Sequence, residues 1–277
     1  LDGKDAREEG SVIVQLQGGL GNQMFQYAFG KSVAKAAGQD VAFVKERSHK
    51  RTYSLDAFNV DIKFAPEMTG SVFVEQPFCY NPAVYDAARN GLNFNGHWQT
   101  ERYFDVDLVR KHFTLRDQPS SPSLYVAGEI VRNNSAFIHV RRTDYVGINE
   151  TYHGLMTMEY YRQAVHRVLL ENDDVKFYLF SDDPDWCEHA FAGKLDSTVV
   201  RHNKPGDGER PGKEHEDLWL MSLCRHGVIA NSSFSWWGAW LGENRYPKRT
   251  VVAPKKWFAT PTLESKDIVP ERWVKYE

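Results

Sequence analysis

The chain has 277 residues, long for one domain and comfortable for two, each able to bury its own core. Its formal net charge of −3 excludes the broad basic face of a nucleic-acid binder, while leaving room for a local basic site that holds a phosphorylated small molecule. Three widely spaced cysteines, Cys79, Cys187 and Cys224, give neither a disulfide framework nor a zinc spacing and read as reduced thiols of a reducing compartment. No run approaches the roughly 18–20 apolar residues of a membrane span.

Leu1–Gly10 is charged and polar, without the apolar stretch of a signal peptide, and reads as a disordered leader. Ser11–Gln17 follows as a buried strand, then a glycine turn and a helix from about Asn22 to Ala37. Phe25, Phe29, Val33 and Ala36 share one face of that helix, and Gly38 is placed to cap it. Val41–Val44 is a short strand. Residues 46–122 are less regular, with Val72–Val74 and Leu92–Gly96 extended. Asp117–Ser123, rich in Pro and Ser, reads as a linker.

Regular alternation then resumes. Strands are expected at Ala136–Val140, Val175–Phe180, Ser197–Arg201, Gly227–Ala230 and Thr250–Ala253. Helices are expected at Thr157–Leu170, Asp183–Phe191, Glu214–Cys224 and Phe234–Leu241. Strand–helix alternation argues for a mostly parallel α/β architecture. We divide it into an N-terminal domain over residues 11–120 and a C-terminal domain over 121–277, with ligands expected beyond the carboxyl ends of the strands in the cleft between them.

Three stretches carry chemistry at such strand ends. Gly18-Gly19-Leu20-Gly21-Asn22 lets backbone approach a ligand and opens a helix N-terminus to an anion, or else is a plain tight turn. It lacks the third glycine of a dinucleotide fingerprint, since Met24 stands there, and the pattern of a kinase-type phosphate loop. His139-Val140-Arg141-Arg142-Thr143-Asp144 ends a buried strand, where two arginines and a histidine need anionic partners. One arginine can be satisfied by an ion pair with Asp144; pairing both internally is not expected. Asn231-Ser232-Ser233-Phe234-Ser235-Trp236-Trp237 opens another helix, whose serines either cap it or leave hydroxyl and N–H groups for phosphate. Core packing explains the tryptophans there.

A weaker feature is Ser181-Asp182-Asp183-Pro184-Asp185, which can face a guanine edge, cap a helix, or hold a metal. His97–Phe104, with Trp98 and Gln99, mixes aromatic and hydrogen-bonding groups as sugar sites do, and equally as a half-buried strand–helix junction does.

GGLGNQMFQYA at 18–28, HVRRTDY at 139–145 and NSSFSWWGAWLG at 231–242 closely resemble the motifs of the inverting α-1,2-fucosyltransferases, glycosyltransferase family 11, in the same order and spacing from about residue 11 to about 257. The HVRRTD run is also similar to the α-1,6- and protein O-fucosyltransferases. The resemblance implies a GT-B-like fold of two Rossmann-like domains, GDP-β-L-fucose as donor, a galactose-terminated glycan as acceptor, inversion, and no cofactor or essential metal. It also implies an acceptor-side N-terminal domain and a donor-side C-terminal domain. Arg141 then holds the β-phosphate, assisted by Arg142. Gly19, Gly21 and Asn22 lie near the donor, Asp182 or Asp183 faces guanine, and Asn231, Ser232, Ser233, Phe234 and Ser235 surround the pyrophosphate. Asp144, His139 and Glu150 are the candidates to take the acceptor's proton, Asp144 first, and Trp98 and Gln99 are assigned to the acceptor. The chain looks most like bacterial members that build surface polysaccharides, in the cytoplasm or at the inner membrane face.

Three rivals set the tests: a metal-dependent nucleotide-sugar transferase using Asp182, Asp183 and Asp185, a non-catalytic sugar- or GDP-binding module, and, against the broken glycine fingerprint, an NAD enzyme.

Overall fold

The computed structural model describes residues 11–46, 52–76, 78–143, 150–204, 212–260 and 262–277. Two all-parallel sheets organise them. The first begins with β1 (Ser11–Leu16), whose alternate residues Val12, Val14 and Leu16 are buried. Helix α1 (Leu20–Ala37) crosses back, buried on nearly every face of its first ten residues. It stops at Gly38, where φ of 69° suits only glycine comfortably and the N–H groups of Gly38 and Gln39 close on Lys35 and Ala34 carbonyls. Strand β2 (Asp40–Lys45) pairs with β1 in register Val14↔Phe43. The sheet is completed by β3 (Val72–Val74), α2 (Ala83–Arg89) and β4 (Asn93–Asn95), giving the order β2-β1-β4-β3. Because β1 and β4 are neighbours (Val14↔Phe94), the glycine turn after β1 and the His97–Gln99 segment after β4 emerge at the same edge.

A short helix α3 (Val106–His112), capped by Asp105 accepting from Leu108 N at 3.2 Å, leads out of this lobe. The expected linker yields early: α4 (Ser121–Arg132) starts inside it, with Pro122 in the first turn where a missing N–H does no harm. Its buried positions Ser123, Ala127 and Ile130 form a helical stripe.

The second sheet then builds in order through β5 (Asn134–Val140), α5 (Glu150–His153), α6 (Met158–Glu171), β6 (Val175–Ser181), α7 (Pro184–Phe191), β7 (Ser197–Val199), α8 (Glu214–Leu223), β8 (His226–Val228), α9 (Ser233–Gly242), β9 (Val251–Pro254) and β10 (Val274–Tyr276). Its order is β10-β9-β8-β5-β6-β7. Strand β5 therefore lies between β8 and β6, in register Ile138↔Val228 and Val140↔Ser181. That register sets Arg141 beside Asp182.

The lobes are joined by packing as well as by chain. One core cluster runs from β1 and α1 through α9 to Trp273. Phe25 of α1 lies 4.6 Å from Trp236 and 4.9 Å from Trp237, ring centre to ring centre, and Phe104 stacks on Trp237 at 5.2 Å. Arg272 near the C-terminus pairs with Glu101 of the first lobe and Glu243 of the second. A separate cluster fills the space between α6 and the β5–β6 pair.

Candidate active site

The β1–α1 turn is held from inside. Gly18 has φ of 76°, and Gly19 accepts from the N–H groups of Asn22 and Gln23 at 3.0 and 3.1 Å. The buried Gln23 amide donates to the carbonyls of Gly18 (2.9 Å) and Thr52 (3.0 Å) and accepts from Ser54 N (3.0 Å), so one side chain ties the 52–54 segment to the turn. Asn22 Oδ1 accepts from Gln99 Nε2 at 2.8 Å.

At the end of β5, the Asp182 carboxylate gathers the chain around itself. It accepts from Arg142 N (2.9 Å), Thr143 N (3.1 Å) and Thr143 Oγ1 (2.6 Å), and Arg141 Nη1 lies 3.2 Å away. Burial by itself would raise this carboxyl, but Arg141 and these donors outweigh it and hold it below the usual aspartate range. Asp182, expected to face guanine, is thus used to shape the arginine-bearing turn. Asp183 accepts from Trp186 N at 3.1 Å as the cap of α7 and lies 3.5 Å from Arg142 Nε, while the Arg142 guanidinium stands 4.2 Å over the Trp186 ring. Both arginines are thus paired within the chain, contrary to expectation, with Arg142 facing α7 and Arg141 lining the cleft.

His139 is 4% exposed, and burial pushes its ring down to about 3, with Arg141 acting in the same direction and Asp182 opposing. It is a neutral, weakly basic wall whose Nδ1 has no protein partner, with Phe234 at 5.6 Å. Burial disfavours the protonated ring, which weighs against His139 as the expected proton acceptor. Asp144 lies outside the described residues, as does the Glu150 side chain.

The third motif divides. Ser232, Ser233 and Phe234 line the cleft at the start of α9. Asn231 does not: its amide donates to the carbonyls of His153 (2.7 Å), Gly154 (3.1 Å) and Trp257 (3.2 Å), pinning one loop to another. Ser235 is fully buried and returns its hydroxyl to the Ser232 carbonyl at 3.3 Å. Both were expected at the pyrophosphate; the Asn231 amide N–H groups and the Ser235 hydroxyl are instead bonded to the scaffold. Trp98 is also corrected. With φ of 56° it turns its ring into the core, 1% exposed and stacked on Phe29 at 4.1 Å, leaving only Gln99 of the expected acceptor pair beside Asn22.

These pieces enclose a cleft of about 320 Å³ between the sheets, with Gly18–Asn22 on one wall and His139, Arg141 and Ser232–Phe234 on the other. Its far end holds residues that motif reading missed. Asp217 of α8 accepts from Asn203 Nδ2 at 2.8 Å, and burial pushes its carboxyl up to about 7. Glu214 accepts from Ser54 Oγ at 3.3 Å across the lobes. The available signal was an acid set directly against the apolar run Leu218–Met221. Among the described residues no group of three or more His, Cys, Asp or Glu side chains is arranged to hold a metal ion.

Two parallel α/β lobes enclosing a cleft, with an arginine strand end facing two helix N-termini, define a glycosyltransferase of GT-B architecture. The chain belongs to glycosyl transferase family 11, whose model matches residues 90–277. It is 32% identical to an α-1,2-colitosyltransferase of Escherichia coli over 96% of this chain and 99% of that one. It is 27% identical to the O-antigen biosynthesis glycosyltransferase WbnK of Escherichia coli, covering 88% and 94%. It is 25% identical to the galactoside 2-α-L-fucosyltransferase Sec1 of Mus musculus, covering 89% and 72%. In fold it is similar to the fucosyltransferase NodZ from Bradyrhizobium, with a TM-score of 0.55 at 15% identity over 84% of this chain and 93% of that one.

Proposed function

We propose that this protein transfers L-fucose from GDP-β-L-fucose to O-2 of a galactose in a glycan, with inversion and without a metal. The carrying observation is Arg141, oriented by Asp182 and aimed with the α9 N-terminus into the cleft. As the bond from C1 of the sugar to the phosphate oxygen breaks, its electron pair stays with GDP. The guanidinium and the N–H groups at Ser233 and Phe234 are preorganised for that growing negative charge. The acceptor oxygen bonds to C1 from the opposite face, and its proton passes to a base, for which Asp144 is proposed. Asp217 with Asn203 suits the N–H edge of guanine. In this reading the lobe over 11–120 carries the acceptor and that over 121–277 the donor. Metal-free chemistry is supported by the positive groups already in place.

The three buried, unpaired thiols support a cytoplasmic location. No described helix is long and apolar enough to cross a membrane. The 32% identity to a colitosyltransferase favours one second reading, a GDP-linked 3,6-dideoxyhexose as donor.

The test is GDP release from GDP-fucose with lactose and with galactosyl-GlcNAc disaccharides, with and without EDTA, followed by NMR of the product. Acceptor-dependent release that survives EDTA, with a new α-1,2 linkage, is expected. Release that requires a divalent ion overturns the metal-free mechanism, and turnover only with GDP-colitose selects the second donor.

A further inference from the structure

A belt of aromatic rings lies beside the cleft and is drawn from both lobes. His97 packs on Phe78 at 5.8 Å between ring centres, Phe78 on Phe258 at 5.2 Å, and Phe258 on Tyr152 at 5.5 Å. Tyr152 meets His153 at 4.7 Å, edge to face, and His153 also lines the cleft that holds Arg141. None of these five rings is fully buried, and Tyr152 is 40% exposed. Contiguous part-exposed rings beside a site are a surface on which a ligand can stack.

Hydrogen bonds fix the backbone at both ends of the belt. Glu75 accepts from the N–H groups of both His97 (2.6 Å) and Trp98 (3.0 Å). This double contact holds the backbone on either side of Trp98, whose left-handed conformation is a strained one for a bulky residue. On the other lobe, Asn231 fixes the carbonyls of His153 and Gly154. A second observation points to a polar occupant. Gln99, 7% exposed and bonded to Asn22 at the cleft, has a buried Oε1 with no hydrogen-bond partner. An acceptor hydroxyl is the right donor for that oxygen.

We propose that Phe78, His97, Tyr152, His153 and Phe258 form the acceptor subsite, binding a neutral hexopyranoside by stacking its C–H faces on the rings while Gln99 accepts from a sugar hydroxyl. The proposal rests on the transferase reading above. The belt suits an uncharged ligand, because burial, with His153 beside it, pushes His97 down to about 4 and keeps it neutral at pH 7.

The test compares Tyr152→Ala, an exposed position where folding is not at stake, and Phe258→Ala with the wild type. Each is assayed for acceptor KM with lactose, GDP Kd, and acceptor-independent hydrolysis of GDP-fucose. The expected result is a KM raised about tenfold or more, with GDP Kd and hydrolysis unchanged. An unchanged KM in the folded Tyr152→Ala variant overturns the proposal, and so does weakened GDP binding with normal KM, which gives the belt to the nucleotide. If the wild type turns over no galactoside, the transferase reading has failed. The subsite is then tested by saturation-transfer NMR of lactose on GDP-saturated wild type, where transfer that Tyr152→Ala abolishes supports it and absence of transfer overturns it.

Discussion

The indole N–H of Trp237 donates to the carbonyl of Gly21 at 3.0 Å, fastening the last motif of the chain to the first. A Cβ on Gly21 would stand 2.5 Å from Phe234 N and 2.6 Å from the Ser233 carbonyl carbon. Glycine here is set by the approach of two helix starts that together face the cleft.

Gly21→Ala therefore has to push α1 from α9. We expect a loss of about 1–3 kcal/mol in stability, typical of overpacking, and a larger proportional loss of GDP affinity, because the two anion-facing helix ends separate. Calorimetry and a GDP titration check this. Normal values for both would show that the seam gives way easily.

Arg141→Lys keeps a positive charge but loses the fork that can engage Asp182 and, in the proposed mechanism, a phosphate oxygen together. Turnover should fall about 10²–10³-fold, with an unfolding midpoint near that of the wild type. Asp182→Asn should follow in turnover, since it frees the Arg142–Thr143 turn. Retained kcat in Arg141→Lys would remove the arginine from the reaction.

The proposed pairing of Asp217 with guanine makes GDP binding depend on pH. In the free protein its carboxyl sits at about 7, and only the carboxylate can accept both N–H groups of a guanine edge. GDP affinity should fall as pH drops below 7, by up to about tenfold per unit, and Asp217→Asn should flatten that dependence. A wild-type Kd that is constant from pH 8 to pH 6 would separate Asp217 from the base.

Glu75 makes the opposite kind of statement, about stability. Its carboxyl is raised from 4.5 to about 7 by burial, against the N–H groups of Trp98 and His97. Between those values the folded chain holds a proton that the unfolded chain has released, so stability falls as pH rises from about 4.5 to about 7. Asp217, also raised to about 7, adds to the same window. Glu75→Gln should lessen the slope of urea-unfolding free energy between pH 5 and pH 7 and leave Asp217's share. An unaltered slope would assign the dependence to other groups.

The sequence made the second sheet legible because its strands are continuous apolar runs ending in chemistry-bearing residues, as at Phe137–Arg141 and Phe177–Asp182. It hid α2, α3 and the early start of α4, where short helices carry only a few buried positions such as Val84 and Val109. All three motifs were recognised as site-forming, and the structure brings Asn22, Arg141 and Ser233 to one cleft. The division of labour within motifs was not readable. Asn231 and Ser235 look like ligand groups until their partners, loop carbonyls distant in sequence and a backbone turn, are known. Trp98 looked like a sugar platform because nothing in a sequence announces a positive φ. Asp217 went unnoticed because its significance comes from the burial around it.

The aromatic seam has a bearing on the order in which the protein is made. Phe25, Phe104 and Phe113 belong to the first lobe, yet each packs on Trp237 of α9, more than a hundred residues further along the chain. A ribosome delivers the N-terminal half first, with those rings still uncovered. The first lobe can form its sheet early but cannot finish its interior until residue 242 has emerged. Expressed alone, residues 11–117 should therefore be a sticky, incompletely packed product, and supplying α9 within the rest of the chain should restore solubility.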